Sequence, residues 1–120
     1  MKTHSTKLRG MEHYRGQGYL CANAENKLGK FSQDMFGVFD FVALGFKQTV
    51  GVQACSAQGG EIEAHQDKIL ASKHLERIFT AGWEIHLIAW WPWRYEDKRD
   101  EYRAFNLSRI GVGQYVWRPL

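Results

Sequence analysis

One ionisable residue interrupts the most apolar stretch of this chain. Residues 36–44 read Phe-Gly-Val-Phe-Asp-Phe-Val-Ala-Leu, with Asp40 at the centre. Strand alternation over 37–44 puts Val38, Asp40, Val42 and Leu44 on one face and Phe39, Phe41 and Ala43 on the other. A carboxylate there loses its hydration and must be met by a cation, a metal or hydrogen-bond donors. A second β-prone run, Val50-Gly-Val-Gln-Ala-Cys55, carries its own polar interruption at Gln53. Two neighbouring strands that each turn one polar side chain inward are a frame for a metal-dependent site.

The chain of 120 residues is expected to form one domain, 1–120, since that length supports one core and not two. Hydrophobic residues at 44% and aromatics at 14% exclude a disordered polyelectrolyte. No apolar run approaches the roughly 20 residues that span a bilayer, and no signal region follows the N-terminal charges. Cys21 and Cys55 form no CxxC pair, so a cytoplasmic, reduced protein with no membrane partner is expected. The net charge is +3, and Lys2, Lys7, Arg9, Arg15, Lys27 and Lys30 face only Glu12 and Glu25 within the first 30 residues. A basic quarter beside a buried acid suits a phosphodiester substrate; a solvated helix and loop would give the same pattern.

Periodicity and turn residues predict a helix over 6–15, strands over 19–23, 37–44 and 49–54, and a loop over 24–34. A single long helix is expected over 62–80, ended by Ala81-Gly82. A strand over 83–91 follows, then a charged hairpin tip at 96–101, a strand over 102–109 and a final segment over 114–117. The order α-β-β-β-α-β-β implies an α/β domain, a mixed sheet flanked by helices.

On the long helix, Ala64, Lys68, Ala71, Leu75 and Phe79 form one stripe at helical spacing. Lys68 thus belongs to the apolar stripe, where it either snorkels outward along its stem or points its ammonium at Asp40 and a substrate phosphate.

These residues resemble a family. The run Phe36 to Leu44 around Asp40, then Val50-Gly-Val-Gln53-Ala-Cys55, then a helix, is similar to the core of the PD-(D/E)XK nuclease superfamily, which has a restriction-endonuclease-like fold. Within it, the small archaeal and phage Holliday junction resolvases and the VRR-NUC nucleases are most similar, over roughly residues 6–91. The resemblance implies that Asp40 is the first acidic residue, which binds the divalent metal. Gln53 stands where the second acidic residue belongs and Cys55 where the lysine belongs. A glutamine oxygen still ligates Mg²⁺ but adds no charge, and cysteine does not replace an ammonium. Lys68 would then supply the cation from the helix, and Glu25 or Asp34 the missing carboxylate.

The implied activity is metal-dependent hydrolysis of DNA phosphodiester bonds, structure-directed as in a Holliday junction resolvase. Mg²⁺ (or Mn²⁺) would be held by Asp40, Gln53 and the Ala54 carbonyl, assisted by Glu25 or Asp34. Arg9, Arg15, Lys27, Lys30 and His65 are the expected DNA contacts, and a homodimer is the expected assembly. The alternative is a nucleic-acid-binding protein that kept a degenerate nuclease fold without its chemistry. A third possibility is an interaction protein using its aromatic C-terminal strands.

Other constellations are weaker. The five histidines and two cysteines lack the paired spacing of a zinc site. A Cys55–His65 nucleophile pair lacks an evident oxyanion-hole loop. Trp90, Trp91 and Trp93 would stack on bases, but core or dimer-interface packing explains them better.

Overall fold

The computed structural model describes residues 5–28 and 31–120. Its elements are α1 (Thr6–Gly16), β1 (Leu20–Asn23), β2 (Asn26–Leu28), β3 (Phe31–Gln33), β4 (Phe41–Leu44), β5 (Thr49–Ser56), α2 (Glu61–Leu70), α3 (Leu75–Thr80), β6 (Trp83–Trp90), β7 (Tyr102–Gly111) and β8 (Gln114–Pro119). Six strands form one mixed sheet in the order β1-β4-β5-β6-β7-β8, and β2 pairs with β3 apart from it. β5 and β6 run parallel, joined through α2 and α3; every other pairing is antiparallel. The expected α/β class holds, with more strands than expected because 24–34 contains the β2–β3 pair and the final segment is itself a strand, β8. No helix among the described residues is long and apolar enough to cross a membrane.

Alternation along the central strands sorts the core into two faces. Val50, Val52, Ala54, Ile88 and Trp90 meet Met11 and Tyr14 of α1. On the other face, Ile85 and Leu107 meet Ile69, Leu75 and Ile78, while Cys55, Leu87 and Ala89 meet Ile62. Tyr14 is tied across the first layer by a 2.6 Å hydrogen bond between its hydroxyl and Nδ1 of His86, which satisfies two polar groups inside the core.

Two expectations need correction. The helix expected over 62–80 is broken at residues 71–74. At about 100° per residue, Leu75 and Ile78 would lie on the side of a continuous helix opposite Ile62 and Ile69. The break re-aims the second apolar set at the sheet that the first already covers. The stripe drawn through Lys68 therefore fails: Ala64, Lys68 and Ala71 are exposed, and Ile62 and Ile69 are the buried face of α2.

The strand expected over 37–44 is also shorter. Residues 36–38 form a turn, Met35 bridges Phe39, and the chain bends at Asp40 before β4 begins. That bend sends Phe39 and Phe41 to opposite faces, although alternation put them on one. Phe39 packs with Ile69 and Ile85, and Phe41 with Met11 and Tyr14. Gly51 makes this possible, because a Cβ there would lie 2.3 Å from the Phe39 ring.

Candidate active site

Three carboxylates that are far apart in sequence meet at the Asp40 bend. β1 pairs with β4, and its pairing continues one step further through Ala24 N to Asp40 O at 2.8 Å. Immediately beyond, the Asn23 side chain holds Glu25 by accepting from its N–H at 3.2 Å and donating to its carbonyl at 3.0 Å. Asp34 follows β3, and the Met35–Phe39 bridge folds the chain so that Asp34 returns to Asp40. One oxygen from each of Glu25, Asp34 and Asp40 lies within 4.8 Å of the other two.

β5 supplies the floor. Oδ2 of Asp40 accepts from Ala54 N at 2.9 Å and from Nε2 of Gln53 at 3.1 Å. The two polar interruptions seen in the sequence are thus in direct contact. Gln53 is 3% exposed, and its Oε1 has no hydrogen-bond partner. An orphaned buried acceptor costs about 1–3 kcal/mol, and a half-turn of the amide would bring this oxygen to Asp40, where it can accept only while the carboxyl keeps its proton. That half-turn exchanges Nε2 for Oε1 beside Asp40.

Two lysines flank the carboxylates. Nζ of Lys7, in the first turn of α1, lies 3.0 Å from Oε1 of Glu25 and 2.9 Å from Oδ1 of Asn23. Nζ of Lys68 lies 2.9 Å from Oδ2 of Asp34. Lys68 reaches the site from the exposed side of α2, half exposed, and its partner is Asp34 and not Asp40. The cleft between them is about 360 Å³ and is lined by Lys7, Glu25, Asp34, Asp40, Gln53 and Lys68, among others.

Burial pushes the Asp40 carboxyl up to about 7, Ala54 N–H opposes this, and the Asp34 and Glu25 carboxyls reinforce it. Asp40 is therefore partly protonated near neutral pH, and its protonated form is favoured by burial and by the neighbouring acids. The three carboxylates offer only oxygen, a donor set that would suit Mg²⁺ or Mn²⁺ better than zinc. Among the described residues this is the one grouping of His, Cys, Asp and Glu close enough to hold an ion.

The remaining expected site residues lie elsewhere. Arg9 is buried, donates to the carbonyls of Trp91 at 2.9 Å and Arg99 at 2.6 Å, and stacks on Trp90 and Trp93. It staples the 91–101 connection to α1 and does not face the cleft. Arg15, near the far end of α1, donates to the Cys21 carbonyl. His65 bonds back to Glu61 within α2, outside the cleft. Lys30 lies outside the described residues, as does the side chain of Lys27. Cys55 faces the core beside Ile62 and Leu87, and burial pushes its thiol up to about 12, which removes it as a nucleophile.

Lys7 was read only as one cation of the basic N-terminal quarter and not as a residue of the site; its contact with Glu25 is a tertiary one. No family model, curated protein or solved structure matches this chain. The functional reading therefore rests on the geometry.

Proposed function

We propose that this protein is a divalent-metal-dependent endodeoxyribonuclease of the PD-(D/E)XK type, acting on structured DNA. The observation that carries the reading is the convergence of Glu25, Asp34 and Asp40 in one cleft, with Gln53 bonded to Asp40 and a lysine on either side. The element order gives support: α1, β1, β4, β5, the α2–α3 pair and the parallel strand β6 follow the sequence of a restriction-endonuclease-like core.

Asp40, Gln53 through Oε1, and Asp34 or Glu25 would hold Mg²⁺ or Mn²⁺. When bound, such an ion lowers the pKa of a water and stabilises charge on the departing oxygen. Asp40 must lose its proton for this role, so binding is coupled to proton release. Lys68, half exposed at the mouth, would contact a non-bridging phosphate oxygen and fill the place that Cys55 leaves without charge. Lys7 holds Glu25 in position through its ion pair and adds a second positive charge for the phosphate. A homodimer would present two such clefts to the two symmetric strands of a four-way junction.

The second reading, a DNA-binding protein without catalysis, is favoured by one observation. Glu25 and Asp34 already have lysine partners, so much of the cluster is neutralised without a metal. Incubation with duplex, single-stranded, flap and four-way junction DNA, in Mg²⁺, Mn²⁺ or EDTA, separates the two. Metal-dependent cleavage that Asp40→Asn abolishes is the expected result. Salt-sensitive binding without cleavage in either metal establishes the second reading instead.

A further inference from the structure

A second groove adjoins the carboxylate cleft and shares Lys68 with it. Its other walls include Gln33, Phe36, Lys73 and His74, its volume is about 360 Å³, and no carboxylate lines it. Phe36 is unusual on two counts. Its φ is 58°, the one left-handed non-glycine residue described, in a turn where a bulky side chain costs about 1–2 kcal/mol. Its side chain is also half exposed, so the strain is not offset by burial.

The ring is nevertheless held. Phe39 and Trp83 meet it edge to face, with centroids at 6.5 and 6.4 Å, and His74 lies at 6.1 Å. Phe39 and Trp83 themselves stack at 5.8 Å in the core, so the platform is anchored to the sheet. An aromatic ring packed on its neighbours and half open to solvent, rimmed by cations and lacking acids, has the chemistry of a base-stacking site.

We propose that this groove binds one unpaired nucleotide of the DNA substrate, its base stacked on Phe36 and its phosphate paired with Lys73 or Lys68. This rests on the nuclease reading and specifies its substrate. Because Lys68 borders both spaces, the nucleotide in the groove neighbours the phosphate at Asp40. A base inside a continuous duplex is already stacked on both faces and has none to offer Phe36. The site therefore selects flaps, junction crossover points and single strands over uninterrupted duplex.

The test uses oligonucleotides carrying 2-aminopurine, as single strands, as flaps with the probe at the unpaired position next to the branch, and as plain duplex. Binding is followed by fluorescence in EDTA, and cleavage separately in Mg²⁺ or Mn²⁺. The wild type should quench the probe in single strands and flaps. Phe36→Leu should remove the quenching and weaken those complexes by about tenfold, within the range for one lost base stack, with duplex binding unchanged. Phe36→Gly, which takes the left-handed turn without steric cost, should still fold cooperatively and show the same loss. Unaltered quenching and affinity in both variants overturns the groove assignment while leaving metal-dependent cleavage, and the nuclease reading, intact. Absence of DNA binding by the wild type overturns both.

Discussion

Asp40 concentrates the chemistry of the chain in one side chain, and its burial has a measurable consequence. Its carboxyl titrates near 7 in the folded protein against an ordinary value of 3.8, because burial disfavours the anion. The folded state therefore holds a proton that the unfolded chain releases between those values. Stability from this group is greatest below about pH 4 and declines as pH rises to about 7, by an amount on the order of a few kcal/mol. Thermal melting of wild type and Asp40→Asn in EDTA, from pH 4 to 8, should show that decline in the wild type and a flatter profile in the variant. Lys68 carries the next expectation. Its ammonium is half exposed and bonded to Asp34 alone, so Lys68→Ala should leave the melting temperature within a few degrees of wild type. Cleavage should drop by about a hundredfold or more, as expected for loss of a positioned catalytic group. Equal cleavage by wild type and Lys68→Ala would remove that lysine from the mechanism. A third residue acts through space alone. Gly51→Ala forces a methyl into the Phe39 ring, and should destabilise by about 1–3 kcal/mol or more in denaturant unfolding.

Elements are tied together at places the sequence does not advertise. Glu76 on α3 accepts from Gly113 N at 2.6 Å, from the Tyr115 hydroxyl at 2.7 Å and from Arg109 Nε at 3.0 Å. One carboxylate thus pins the β7–β8 hairpin to the helix. The Gly113 N–H, then Tyr115 and Arg109, hold it down to about 2. A depressed carboxyl contributes stability above its unfolded pKa near 4.5 and loses it as pH falls toward 2. Glu76→Gln should therefore lower the melting temperature at pH 7 and lessen its further loss in acid. Amide exchange at Gly113 should quicken in the same variant, while exchange in β5 stays as it was. The Gly111-Val-Gly113 punctuation proves to be a hairpin turn, and 96–98 is a short 3₁₀ turn between β6 and β7.

At the scale of the molecule, the proposed homodimer predicts a mass near twice 13.9 kDa by light scattering at micromolar concentration; a monomer alone would oppose it. The sequence by itself determined the α/β class, the strand that follows Asp40, the strand that carries Gln53, and the burial of both polar side chains. Those features are local: alternation, turn residues and the cost of burying a charge can all be read from neighbours in the chain. Tertiary structure alone decided the rest. Glu25 and Asp34 were readable only as acids upstream of Asp40, because their meeting depends on β1 pairing with β4 and on the Met35–Phe39 bridge. Lys68 does border the cleft, but by a different route from the apolar stripe, since the break at 71–74 depends on which face of α3 must reach the sheet. Lys7 was legible only as one of several N-terminal cations, and Arg9, expected to contact DNA, is instead enclosed by the 91–101 connection. Contacts between residues distant in sequence set the register and the bends, and each residue's burial follows from those.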